Sequence, residues 1–432
     1  WVLRLPKEGI NTVANAFSKE ERVAFEQILE GFNDALVISR NVAKFGTDGQ
    51  LMERANDTIW RPMPYILNSQ NRTMGSAVTP QDVTQLSVPS RLTEKKNVSW
   101  NMNALELRDA LQEGRLGKAA YQRLASDINT KVRDVVSLQG TLVVPITGAA
   151  GDYDDIALAE SMMNEQGVPE GDRYLALTTR DYNGLAGNLA GRQNLVANKT
   201  ITAYERSYVG MVAGFETYKI DAGKRIPAAA GGGSITIATN GAQVRYVPDN
   251  VDANGNNVDN RYQTVTVSST TNVVAGDTFT IAGIEAVHMI TKESTGVLRT
   301  FRVISVDSGT TMTISPPMIG ANSSPTAAET AYKNINVAST SATAAINWLN
   351  DNASGANPFW FKDSVELLPG RYAVPDGQGV DIMRGTTDQG LEVVMGKKFD
   401  NSTFTSLYTL DVLYGVVNTN PQMNGVILFG QP

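Results

Sequence analysis

The sequence predicts an α+β protein with an all-β domain inserted into it. Three observations carry this reading. Lys118–Gln139 is a long run with apolar residues every three or four positions (Ala120, Leu124, Ile128, Val132, Val135), the spacing of a one-faced helix. From Ile235 to about Met318 the chain is nearly all short strand-like runs punctuated by turns. Mixed helix and strand texture precedes that block and resumes at Phe359, so the β block reads as an insertion.

The elements follow in order. Residues 1–17 lack sustained periodicity and read as an extended arm. Ser18-Lys19-Glu20-Glu21 is a capping box, predicting a helix to about Phe45 with Val23, Ile28, Phe32, Leu36 and Val37 inward, ended by Gly46 and Gly49. Thr58–Tyr65 is β-forming but holds two prolines, as an edge ribbon would. Asn97–Met102 alternates with Val98, Trp100 and Met102 on one face, and the polar stretch Asn68–Ser87 lies between. Together they predict a long two-stranded excursion over 57–102, which needs outside support. Asn103 and Glu106 suggest a short helix to Glu113, loosened by Gly114 and Gly117 before the long helix begins. Arg123, Asp127, Lys131 and Arg133 fall off its apolar stripe, which predicts a beam open on one side.

After Gly140 the pattern gives a buried strand at Thr141–Ile146, a helix at Tyr153–Gln166, a strand at Arg173–Thr178 and a helix at Thr179–Leu189. Pro227–Ser234, rich in Ala and Gly, marks a boundary. Strands are then expected at 235–238, 244–247, 262–267, 278–281, 284–290, 298–306 and 312–314, a sandwich or small barrel. A less regular segment over 320–356 leads out. Strands follow at 364–368, 390–395, 407–417 and 426–429.

Composition limits the chemistry. A chain of 432 residues, 42% hydrophobic and 19% charged, builds a real core in about two to three domains. No run approaches the roughly 18 apolar residues of a membrane span, so no membrane partner is expected. The start, Trp1-Val-Leu-Arg-Leu-Pro, has no initiator Met and lacks the apolar core of a signal peptide. Cysteine is absent, which removes disulfides, thiolate metal sites and cysteine nucleophiles together. With one histidine, His288, a nitrogen-and-sulfur zinc site cannot be assembled from one chain. The net charge of -7 makes the whole molecule a poor match for nucleic acid.

The richest polar stretch is Asp249–Asn260. Read from Asn250 it approaches a calcium loop, but Asn stands first and Arg261 occupies the place of the bidentate Glu. A long acidic hairpin loop is the better reading. His288 sits in a strand pattern with no nucleophile elbow anywhere in the chain. Asp152, Asp154 and Asp155 suit the start of a helix. Gly114-Arg-Leu-Gly117-Lys118 lacks the spacing of a phosphate loop. No catalytic residue, cofactor or metal is expected.

Several local stretches, in this order, resemble one family. Asn56-Asp57-Thr58-Ile59-Trp60-Arg61-Pro62 is similar to its approach to an extended loop, and Leu107-Arg108-Asp109 with the long helix to its spine. Val212–Glu216, Val258–Val267 and Ala275-Gly276-Asp277 are similar to the approach to its inserted domain and to that domain itself. Asn357–Trp360 and Leu413–Val416 are similar to the return and the last strands. The family is that of tailed-phage major capsid proteins with the Hong Kong ninety-seven fold, in the sub-type of the Salmonella phage P-twenty-two coat protein.

The resemblance implies a non-enzymatic shell protein of the virion capsid, assembled in the host bacterial cytoplasm. It implies partners: copies of itself in hexons and pentons, a scaffolding protein, the portal, and packaged double-stranded DNA at the inner surface. It implies an N-terminal arm and helix over 1–56, an extended β-loop over 57–102 and the spine helix of the peripheral domain over 103–140. An axial domain would span 141–226, an inserted β-barrel domain 227–356, and the rest of the axial domain with the C-terminal peripheral strands 357–432. It also gives contact candidates between subunits: Asp249, Asp252 and Asp259 of the acidic loop, Arg206 as a possible partner, and Trp60 and Arg61. Gly114 and Gly117 become hinge candidates for shell expansion. Two other classes stay open, a secreted β-rich binding protein or adhesin and a carboxylate hydrolase.

Overall fold

One unbroken helix, Ala110–Gln139, runs through the middle of the molecule. The computed structural model describes residues 19–36, 38–45, 58–64, 66–67, 74–75, 77, 80, 83–103, 110–191, 209–221, 223–229, 235–238, 246–320, 325–337, 344–372 and 381–432.

In chain order, α1 (Lys19–Ala35) leads through a 3-10 turn (Ile38–Asn41) to β1 (Ala43–Lys44). β2 (Thr58–Pro62), β3 (Ser87–Arg91) and β4 (Glu94–Asn103) precede the long helix α2. Then come β5 (Leu142–Thr147), α3 (Tyr153–Gln166), β6 (Arg173–Thr178) and α4 (Thr179–Gly191). β7 (Met211–Val212), β8 (Phe215–Ile220) and β9 (Arg225–Ile226) follow. The all-β block holds β10 (Gln263–Thr266), β11 (Thr278–Val287), β12 (Ser294–Val306), β13 (Thr311–Ser315), the short α5 (Ala327–Tyr332) and β14 (Ile346–Trp348). The chain closes with β15 (Ser354–Phe361), β16 (Val365–Pro369), β17 (Asp381–Thr386), β18 (Glu392–Asp400), β19 (Thr405–Asn418) and β20 (Asn424–Gln431).

Two sheets flank α2. The first orders its strands β1-β16-β19-β18-β17, with β4 also paired to β19. Its core joins Leu124, Ile128 and Val132 of α2 to Met102, Tyr408, Leu410 and Val412, and Trp100 stacks on Tyr408 at 5.7 Å. The alternation expected for β4 is what delivers Val98, Trp100 and Met102 to this core. The second sheet runs β5-β20-β15-β6-β8-β7, with β9 against β15. Leu175 and Leu177 of β6 face the core shared with α3 and α4, while Tyr174 and Ala176 point the other way, toward α2. The C-terminal strand β20 lies between β5 and β15, pairing parallel with one and antiparallel with the other.

The β block is a five-stranded sheet that curls toward a barrel. Its sheet order is β10-β13-β12-β11-β14, and residues 235–238 fill the gap between the ends. Ile237 bridges to Val267 and Thr236 to Ala345. Ile237 N–H donates to Ala344 O and Ala238 N–H to Thr266 O, both at 3.0 Å. This bridging encloses Phe279, Ile281, Phe301, Val303, Met312 and Ile314. Ile226 of β9 lies opposite Ser354 of β15, so the chain leaves for the barrel and returns at neighbouring points. That arrangement lets a second unit be added without separating the strands of the host sheet.

The structure corrects several expectations. α1 ends at Ala35, not near Phe45. Leu36 enters the core, and Ser39 donates from both N–H and hydroxyl to Asn129 Oδ1 on α2, which turns the chain away from helix. Val23 is exposed, and Phe25 and Ile28 face inward. Ser18 of the capping box lies outside the described residues, as do Phe32's side chain and Gly46. The excursion is not one hairpin: β2 pairs with β3, whereas β4 pairs along Thr405–Tyr414 of β19. Asn103 is the last residue of β4; the short helix expected after it falls partly on 104–109, outside the described residues, and partly on the start of α2. Gly114 and Gly117 lie inside α2 and do not interrupt it. The expected strands 278–281 and 284–290 are one strand, β11, irregular in register between Thr280 and Glu285.

Nor is α2 a beam with an open side along its length. Lys118, Ala119, Gln122 and Arg123 are exposed, but no residue from Leu124 to Gly140 is. Arg133 is buried and pairs with Asp134 at 2.6 Å, and Lys131 reaches Glu94 of β4 at 2.7 Å. Arg123 and Asp127 pair with each other at 3.2 Å.

Candidate functional site

The acidic stretch folds into a small exposed hairpin. Val251 bridges to Asn257, and Asp252 N–H donates to Asn256 O at 2.8 Å. The Asp252 carboxylate turns back on its own loop. It accepts the N–H groups of Asn254 (2.8 Å) and Asn256 (2.9 Å) and the Asn256 side-chain amide (3.2 Å). These bonds, led by those from Asn256, favour the ionised form and hold the carboxyl below the ordinary aspartate range. Gly255, at φ +80°, completes the turn. Among the described residues no group of three or more His, Asp or Glu is placed to hold a metal.

The three aspartates differ. Asp249 and Asp252 are exposed at the hairpin. Asp259 is engaged within the chain, accepting from Arg261 Nη2 at 2.7 Å and Nε at 2.9 Å. Arg261 is buried, also donates to Asn418 O at 2.9 Å and lies over the Tyr262 ring. That bidentate pair anchors the hairpin's base to β19 and removes Asp259 from the free acidic tip. A second anchor joins the base to the ribbon. Ser87 N–H donates to Asn260 Oδ1 at 3.1 Å, and Ser87 hydroxyl to Val258 O at 3.0 Å. The hairpin therefore projects from a rigid base shared by barrel, ribbon and sheet. Arg206 lies outside the described residues.

On β2 and the residue after it, alternation sends Ile59, Arg61 and Met63 inward and leaves Trp60 on the outer face, 36% exposed. Arg61 is not free. It pairs with Glu366 of β16 at 3.1 Å and lies 4.0 Å from the Phe45 ring centre. Burial raises the Glu366 carboxyl, and Arg61 opposes that shift. The root of the ribbon packs on its own chain: Met63, Leu86, Val88 and Leu92 share a core with Ile319, Tyr332, Leu368 and Leu413.

Sequence reasoning missed the joint between barrel and α2. Arg302 Nε donates to Gly140 O at the end of α2 (3.1 Å), and its Nη1 to Gly276 O (2.8 Å). Thr300 hydroxyl donates to Thr141 O at 2.6 Å. Arg299 donates to Gln166 Oε1, and to Gln422 Oε1 at 2.9 Å. Both arginines are fully buried; burial lowers Arg299 to about 10 and Arg302 to about 9, the latter opposed by Asp277. A guanidinium over the C-terminal carbonyls of a helix also complements its dipole. The signal was the Arg-Thr-Phe-Arg run of β12, which in sequence reads as an ordinary exposed alternation. Phe404 was missed too. It is exposed at the β18–β19 tip with φ +54°, packed edge-on against Phe399, and the turn is wired by Asp400 accepting from Ser402 and Thr403.

Among the described residues these are surfaces, anchors and joints. A profile of the P22 coat protein, gene protein 5, matches residues 13–430. The chain belongs to the P22 coat protein family. As a member of that family it is a phage major capsid protein, with the Hong Kong ninety-seven-type α+β capsid fold, and it builds a shell from copies of itself in the virion. The family is structural. The chain is also similar to solved structures. One, from Mycobacterium phage Che8, is 9% identical over 91% of this chain and 90% of that one, with TM-score 0.44. Another, the capsid of cyanophage P-SCSP1u, is 10% identical over 90% and 85%, with TM-score 0.43. A third, the CUS-3 coat protein I-domain, is 40% identical over 27% of this chain and 96% of that one, with TM-score 0.23. No helix among the described residues is long and apolar enough to cross a membrane.

Proposed function

We propose that this coat protein assembles with a scaffolding protein in the host cytoplasm into a procapsid of hexons and pentons, joined by a portal, which later expands around DNA. In this reading the barrel, within 227–356, is an inserted domain whose acidic hairpin meets basic residues of a second copy. The observation that carries it is the hairpin: Asp249 and Asp252 stand exposed on a base fixed by Arg261 and Ser87. A loop ordered before contact loses less entropy on contact, and weak contacts gain strength when repeated around a closed shell. Residues 57–102 act as the extended loop, with its root on its own subunit and its tip over a neighbour. Residues 103–140 act as the spine, and 141–226 with 357–432 supply the axial domain and peripheral strands. Arg206 is a possible partner of the hairpin, and Trp60 offers an outward apolar contact.

The test is co-expression with scaffolding protein and electron microscopy of the products. Asp249→Asn with Asp252→Asn keeps the turn's acceptors and removes two charges. Fewer or mis-sized shells from a normally folded subunit are expected. Shells of normal yield and salt resistance would sink the hairpin contact while leaving the capsid identity intact.

A further inference from the structure

A cavity of about 40 Å³ lies where the β2–β3 ribbon, the barrel and the 418–424 turn meet. At about 10–15 Å³ for each water-sized body, it has room for a small ion and not for a nucleotide. Met63 and Leu86 wall it on the ribbon side, Lys292 and Lys333 on the barrel side, and Asn420 and Gln422 on the third. Among the described residues no Asp or Glu lines it.

Gln422 Oε1 accepts from Arg299 and Asn420 Oδ1 from Gln422 N–H, which leaves the side-chain NH2 of each amide to offer an anion. Lys292 sits at φ +61°, in the left-handed region L-residues seldom adopt, and the turn around it is held by hydrogen bonds. His288 organises that turn: its carbonyl accepts Lys292 N–H at 3.0 Å, and its Nδ1 accepts the N–H groups of Ile290 (3.2 Å) and Thr291 (3.1 Å). The Lys292 ammonium donates to Lys333 O at 3.3 Å and is part-buried beside a second lysine. Burial first, and Lys333 second, lower it to about 8. Two lysines and two amide NH2 groups thus line one small space that no described carboxylate lines.

We propose that this cavity binds a small oxyanion of the inorganic phosphate class, held by Lys292 and Lys333 with the Asn420 and Gln422 amides. The bound ion ties the ribbon root to the barrel. It does so in the single subunit and is independent of the hairpin contact.

Equilibrium dialysis of the full chain with inorganic phosphate, at ionic strength held constant with chloride, tests this. One saturable site per chain is expected. Lys292→Met and Lys333→Met each weaken it about ten-fold or more, the scale of one charge-assisted hydrogen bond, whereas the exposed Lys118→Met leaves it unchanged. Lys292→Arg keeps the charge and retains binding. Phosphate at ten times its Kd raises the Tm by about 2 °C in the parent chain and not in the double Met variant. No saturable binding in the parent chain overturns the site, as does equal binding by a folded double variant.

Discussion

Replacing Gly117 by Ala separates two readings of this glycine, a bend in the spine or a contact surface. α1 and α2 cross through glycines on both partners. A Cβ added at Gly117 would lie 2.6 Å from Ile28 Cδ1 and 3.3 Å from Cγ1, and one added at Gly31 would lie 2.6 Å from the Tyr121 ring. Ordinary carbon contacts are about 3.5–4.0 Å. Alanine in a helix interior gains about 1 kcal/mol over glycine. The overlap costs about 1–3 kcal/mol, because Ile28 is buried and must be displaced. The single variant is therefore expected to lose about 0–2 kcal/mol in place of gaining 1. Ile28→Val removes Cδ1 at a cost of about 0.5–1.5 kcal/mol and vacates the space. In the double variant the helix gain returns and the overlap is relieved, so the two changes couple by about 1–3 kcal/mol. Hydrogen exchange of the α1 and α2 amides reads this locally, and urea midpoints read it for the subunit. A coupling below about 0.5 kcal/mol would falsify the contact reading. Shell expansion is the companion readout: the contact reading expects the double variant to expand normally, and expansion blocked in both variants would restore the hinge.

Further outcomes follow from the hairpin, the joint and the cavity. Asp252→Ala frees the N–H groups of Asn254 and Asn256 and should speed their hydrogen exchange, while Asp252→Asn preserves much of their protection. The Asp252 carboxyl is lowered on folding, so its contribution is present above the ordinary aspartate value near 3.9 and fades as pH falls through the folded value; exchange that is flat across that range argues against the turn. Arg302→Ala orphans two buried acceptors, Gly140 O and Gly276 O, and should destabilise the subunit by about 2–5 kcal/mol in urea; a loss below about 1 would mean the joint is not tight. Lys292 is lowered to about 8, so between there and about 10.4 the unfolded chain binds more protons and stability rises with pH; Lys292→Met should flatten that rise, and parallel curves would contradict the burial.

Much of the fold was legible because local rules and the final structure agree. The limits of α3 and β6 stand at the residues their periodicity gave, with Gly167 left-handed at φ +80° after α3. The alternation of β4 and the turns of the barrel likewise belong to short stretches. The acidic hairpin was legible as a loop because its Asp, Asn and Gly residues bond to their own backbone.

Pairing was not legible. Nothing local says that β2 takes β3 and leaves β4 for β19, some three hundred positions away, because register is set by which apolar faces meet. Only the tertiary structure enclosed the C-terminal half of α2, buried Arg299 and Arg302 among carbonyls, and paired Asp259 and Arg61 within the chain. Each is a charged residue that a sequence places at the surface by default, since burial of a charge becomes tolerable only when distant partners meet it. The sequence by itself determined an α+β chain with a β insertion, no thiol chemistry and an acidic loop. The assembled structure decided which charges remain free to meet another subunit, because that depends on which of them the fold has already neutralised.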